Sequence, residues 1–196
     1  MTRFEYAAIF YGFVVGLALQ NILTSVHKLV EAGPRVRWHW MAPATALYAA
    51  ILTLGNFWTW WLNRDANHGQ RTFLTFLVTA AALSILFLAC AATLPDEVPE
   101  HGILDLRAFY FANLRRFWTL YTLTFALNTT TWIVAYVAAG MSPDFLRHEF
   151  PVIFGNGMGI VIGLVTLYVR RPWWHAIAIA MSLIFVLLAF GSLSLN

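Results

Sequence analysis

Hydrophobic positions in this chain run together in six long blocks unbroken by charge, instead of alternating with polar ones. Residues 6–27, 38–63, 72–95, 117–143, 150–169 and 172–196 contain no Asp, Glu, Lys or Arg, and the blocks are 22, 26, 24, 27, 20 and 25 residues long. Each exceeds the roughly 18 apolar residues that mark a bilayer-crossing helix. A helix satisfies its own backbone groups where no water is present, so this is the element such blocks form. The pattern predicts an all-α fold, a polytopic membrane helical bundle of about six transmembrane helices, forming a single integral membrane domain over residues 1–196. The first block is expected to be retained and not cleaved. Met1 to Glu5 carries one charge of each sign, and no small-residue cleavage site follows.

The connection from Asp96 to Arg116 is the longest between blocks and differs from the others. After the acidic, proline-bearing stretch from Pro95 to Glu100, Asp105 is placed to cap a helix running through Leu106, Arg107, Phe109, Tyr110, Phe111, Leu114, Arg115 and Arg116 into the fourth block. A helix from 105 to 140 would be about 54 Å long, against a hydrocarbon core of roughly 30 Å. Its first third is therefore expected as an interfacial amphipathic helix before the fourth span. Its aromatics would dip into lipid, with Asp105 as the cap and Arg107, Arg115 and Arg116 beside anionic headgroups. A docking surface for a partner is the other use of such a segment.

Composition agrees with the blocks. The chain is 60% hydrophobic and 11% charged, where soluble domains run about 45–50% and about 25%. A single cysteine, Cys90, excludes a disulfide scaffold and reads as a small buried residue. The net charge of +3 does not point to nucleic acid, because the basic residues sit beside the blocks. Counted on alternate sides, Lys28, Arg35, Arg37, Arg107, Arg115, Arg116, Arg170 and Arg171 stand against Arg3, Arg64, Arg71 and Arg147. Positive charge stays in the cytoplasm, so the first, third and fifth loops are expected inside and both termini outside. Trp38, Trp40, Trp118, Trp173 and Trp174 then mark inner boundaries, and Trp58, Trp60 and Trp61 an outer one.

Two blocks carry small residues at helical spacing. Gly155, Gly159 and Gly163 recur every four residues in the fifth, where a missing side chain lets a neighbouring backbone approach. In the first, Gly12 and Gly16 continue through Gln20 and Thr24 to His27. Asn56, Asn128 with Thr131, Asn156, Gln20 and Asn21 can be ranked by depth as a ladder of amides and hydroxyls. This ladder reads either as the lining of a hydrated path for an ion or small solute, or as hydrogen bonding between helices. The second is the commoner use, since a buried amide needs a partner that lipid does not supply. No ionisable residue falls near a midplane, where proton-coupled transporters usually keep one.

No HExxH, CxxC, GxSxG, Walker or GxGxxG motif occurs in a context that would give it chemistry. Of the six histidines, His27, His39, His101 and His175 fall on the inner side. They leave open a metal or haem site, with His27 and His39 as weak ligand candidates, although HxH and HxxxH spacings are absent. No cofactor is predicted beyond that possibility.

Phe4-Glu5-Tyr6 with Gly16-Leu17, the run Arg37-Trp38-His39-Trp40, Phe57-Trp58, Leu94-Pro95-Asp96, and Asp105-Leu106-Arg107-Ala108-Phe109-Tyr110-Phe111-Ala112-Asn113 followed by Arg115-Arg116-Phe117 carry a resemblance. The chain resembles, over residues 4–120, a family of small bacterial polytopic membrane proteins. The resemblance implies a bacterial inner-membrane location and supplies no activity, substrate or catalytic residue. The expectation is a non-enzymatic integral membrane protein that acts as a homo-oligomer or as a subunit of a larger membrane complex, with lipids as neighbours. A channel through the ladder is the alternative, and a haem- or quinone-linked redox subunit the third.

Overall fold

The structure, a computed structural model, describes residues 3–62, 73–99, 101–138, 140 and 143–191. Arg64, Arg71 and His68, counted above, lie outside the described residues, as do the side chains of Arg3 and His148. Six helices form among the described residues: α1 Arg3–Ala32, α2 Met41–Leu62, α3 Phe73–Ala91, α4 Leu106–Ala138, α5 Pro143–Tyr168 and α6 Pro172–Gly191.

Helix ends follow local chemistry. Gly33 ends α1 at φ 52°, in the left-handed region that glycine reaches without a Cβ clash, and Gly33–Arg35 follows as a short 3-10 turn carrying Pro34. Proline also opens α5 and α6, at the position where its missing N–H costs nothing. Asp105 caps α4 as expected, its Oδ1 accepting the N–H of Arg107 at 2.8 Å and of Ala108 at 3.1 Å. The segment expected at the interface is the first third of α4 itself. Its inward positions are packed in protein: Leu106, Tyr110 and Leu114 are buried, and Phe117, Trp118, Tyr121 and Phe125 continue the same face at steps of three and four.

α2 touches α1, α3, α4 and α6, and the outer sequence of neighbours runs α1, α3, α4, α5, α6. Tyr48 and Leu52 of α2, Trp118 and Tyr121 of α4, and Ile179 and Val186 of α6 fill one side of the core. Ala18, Ile22 and Leu29 of α1 with Leu86 and Cys90 of α3 fill the other. One feature departs from an all-helical chain. β1, Val36–Arg37, pairs in parallel with β2, Leu104–Asp105, with Val36 opposite Leu104 and Arg37 opposite Asp105.

Large apolar side chains cover the outside as well as the inside. Ile9, Phe13 and Leu23 of α1, Leu47 of α2, Leu77 of α3, Ile133 and Val134 of α4, Val161 of α5 and Ile184 and Leu188 of α6 are all exposed. The stretch Glu5–Arg35 is long and apolar enough to cross a membrane, and Phe76–Ala91, Val152–Tyr168 and Pro172–Leu188 are shorter apolar helices.

Candidate functional site

Chemistry-bearing side chains gather at the end of the bundle where the first and third connections meet. Lys28 Nζ donates to the Asp96 carbonyl at 2.7 Å, and Arg35 Nη1 donates to the Pro99 carbonyl at 3.3 Å. Beside them the β1–β2 bridge sets the Arg37 guanidinium 3.7 Å from the Asp105 carboxylate. Asp105 therefore caps α4 and holds the first connection at once. The Ala108 amide N–H, then the Arg107 amide and the Arg37 charge, hold its carboxyl below the ordinary 3.8, outweighing a desolvation effect that acts the other way. The three contacts and the bridge form a clamp that fixes the C-terminal end of α1 to the start of α4.

Behind the clamp lies a buried aromatic cluster. His175, at the start of α6, is fully buried, and its Nδ1 is 3.0 Å from the Tyr110 hydroxyl. Trp118 Nε1, which can only donate, reaches the same hydroxyl oxygen at 3.2 Å. A phenol oxygen that accepts from Trp118 is free to give its own proton to Nδ1, which leaves the imidazole proton on Nε2. Nε2 meets no well-aligned hydrogen-bond partner among the described residues, with the Val169 backbone its nearest candidate. Phe111 meets His175 edge-on at 5.4 Å between centroids. The cluster joins α4 to α6 and has no solvent access, so its hydroxyl and imidazole act as an internal tie.

The other histidines go elsewhere. His27 is exposed, with Nε2 3.9 Å from Glu31, and His39 Nδ1 accepts the Met41 N–H at 3.5 Å. His101 is exposed. Among the described residues no three metal-ligating side chains come together.

Of the amides, Asn56 and Asn128 are brought together. Asn128 Nδ2 donates to Asn56 Oδ1 at 3.4 Å, and Asn56 Nδ2 donates to the Leu52 carbonyl at 2.8 Å. Asn156 is buried in α5, Asn21 is half-buried in α1, and Gln20 and Thr131 are exposed, so these four do not join the pair. Most hydroxyls bond within their own helix. Thr53, Thr124, Thr129, Thr131 and Thr166 each donate to the carbonyl four residues back. A hydroxyl used in this way has donated its proton within its own helix and can only accept from a neighbour, as Thr166 does from Trp174 at 3.2 Å.

The two glycine faces part company. A Cβ at Gly159 would lie 2.6 Å from Phe125 Cδ1 of α4. One at Gly163 would meet Thr122 Oγ1, and one at Gly155 the Phe185 ring of α6. Among the described residues nothing lies within 4 Å of a Cβ placed at Gly12 or Gly16, and Gln20, Thr24 and His27 continue that exposed face. Arg115 and Arg116 are exposed on α4, as Arg107 is nearer its start.

Sequence reasoning did not single out Tyr110, Trp118 and His175 as a unit. The signal was present, because Leu106, Tyr110, Leu114 and Trp118 repeat every four residues on what proved to be the inward face of α4. No protein-family model, curated protein or solved structure matches the chain.

Proposed function

We propose that the chain is a non-enzymatic polytopic protein of the bacterial inner membrane that works in association, as a homo-oligomer or as a subunit of a larger membrane complex, through the outward face of α1. The carrying observation is that face itself: Gly12, Gly16, Gln20, Thr24 and His27 are all exposed, and among the described residues nothing lies within 4 Å of a Cβ placed at Gly12 or Gly16. An amide directed into hydrocarbon costs several kcal/mol, about 4–8 on a scale with no hydrogen-bonding solvent, until it finds a partner. Glycines beside it let a second helix come close enough to provide one.

Apolar side chains on the outside of all six helices support membrane embedding, because soluble monomers rarely expose contiguous apolar surface beyond a few hundred Å². The eight-to-four division of Lys and Arg supports an inner location for the clamp, with both termini outside. The direct Asn56–Asn128 bond and the back-bonded hydroxyls favour helix association over a hydrated path.

Native mass determination after gentle extraction tests the reading. Wild type is expected as an assembly, with Gly16→Leu and Gln20→Leu shifting it towards the single chain. A monomer in the wild type, with no partner retained, would overturn the association. A chain released from membranes by alkaline wash would overturn the embedding.

A further inference from the structure

The basic residues at the clamped end have different uses. Lys28, Arg35 and Arg37 are taken up by the clamp, whereas Arg115, Arg116 and Arg170 pair with no carboxylate among the described residues. These three line two clefts flanking α4, each of ≈ 400 Å³. One is bounded by Phe111, Leu114, Arg115 and Arg170, so its two guanidinium groups come from α4 and from the connection between α5 and α6. The other, bounded by Leu88, Arg115, Arg116 and Leu120, lies between α3 and α4. Arg115 serves both.

Like charges brought to one cleft without an acid favour an anion between them, and a planar guanidinium fork matches phosphate oxygens two at a time. Apart from Thr119, the remaining walls are apolar, which suits a ligand with an anionic head and a hydrocarbon body. Arg115 stands nine residues into α4, about 14 Å along a helix of about 50 Å, near the level where a span leaves the hydrocarbon. Basic pockets between helices on the cytoplasmic side hold phospholipid headgroups in this way. The edge contact with buried His175 fixes Phe111, so one wall is built in advance.

We propose that the Arg115–Arg170 cleft binds the phosphate of an anionic phospholipid, an inference that rests on the membrane reading above. The test uses the full chain, purified in a neutral detergent and stripped of lipid. It is titrated with phosphatidylglycerol, phosphatidylcholine or inorganic phosphate, and is read by native mass and by thermal stability.

Phosphatidylglycerol is expected to be retained and to raise the melting temperature, and phosphatidylcholine is not. Arg115→Gln and Arg170→Gln should each weaken retention about tenfold, with Arg115→Lys falling between them and wild type. Arg107→Gln, a basic site outside the cleft, should change nothing. Equal retention of phosphatidylcholine, or an equal loss in Arg107→Gln, would overturn the site. Stabilisation by inorganic phosphate to the same extent would assign the cleft to free phosphate instead of lipid. Release of the wild-type chain by alkaline wash would remove the membrane reading itself, whereas an alkali-resistant chain indifferent to lipid charge overturns this site alone.

Discussion

In α5 the glycines at 155, 159 and 163 lie under Phe185, Phe125 and Thr122, whereas in α1 the glycines at 12 and 16 have nothing of the described residues above them. Both helices carry small residues four apart, and the amides sort in the same way. Asn128 is met by Asn56 across the α2–α4 contact, but Gln20 faces outward. Small-residue spacing therefore marks a face that could admit close approach without saying whether a neighbour occupies it. The difference lies in the neighbours. α5 is packed along α4 and against α6, whereas α1 packs mainly on α3 and α2 and, among the described residues, leaves its Gly12–Gly16 face exposed.

The largest expected effect comes from Gly159→Leu. A side chain there drives into Phe125 near the root of its ring, and overpacking of this kind costs about 1–3 kcal/mol. A fall of several degrees in melting temperature is expected, and an unchanged melting curve would break the contrast between the two helices.

Asn128→Leu comes next. It removes a bond worth about 0.6–2 kcal/mol and strands the Asn56 carbonyl oxygen. Thermal stability should fall moderately, and liposomes holding the wild type should pass no common ion. Retained stability together with lost flux would instead make this amide the lining of a path.

Gly16→Leu should change single-chain stability by about 0.5 kcal/mol or less, since nothing occupies the space and leucine favours a helix. Its effect should appear in assembly size. A large loss of single-chain stability would mean that α1 is covered by its own chain after all.

The smallest effect concerns the clamp that ties α1 down. Because the Asp105 carboxyl is held below its ordinary value, its contribution is fully present above about pH 3.8 and is lost as pH falls through the lower folded-state value. Melting temperatures followed from pH 6 to pH 3 should fall more steeply for wild type than for Asp105→Asn. Asparagine can still cap the helix but has no charge for Arg37. Parallel profiles would show that the pairing does not matter.

The sequence made the six helices legible because charge was confined to the gaps between blocks. The α4 start was legible for a specific reason, since Asp105 precedes a helical run that carries on through Arg115 and Arg116 into apolar sequence. Helix ends were less so. α5 starts at Pro143, seven residues before its charge-free block, because the absence of charge marks an apolar layer and a helix extends past it. The two-residue bridge between 36–37 and 104–105 left no signal, as a pairing that short imposes no alternation. From sequence His175 is only one of the inner-side histidines that leave open a metal or haem site, and the packing of α6 against Tyr110 and Trp118 buries it.

The clamp also has a consequence for the order of events as the chain is made. Lys28 finds its acceptor at Asp96, 68 residues later in the chain. At about 5–20 residues per second of synthesis, roughly 3 to 14 seconds separate the appearance of the two. During that interval α1 is without its tether, with its small and polar face already available. A second newly made α1 could reach that face before the rest of the bundle exists. Crosslinking ribosome-arrested chains through a cysteine at position 16, with arrest points before and after residue 105, would show whether association precedes closure of the clamp or waits for it.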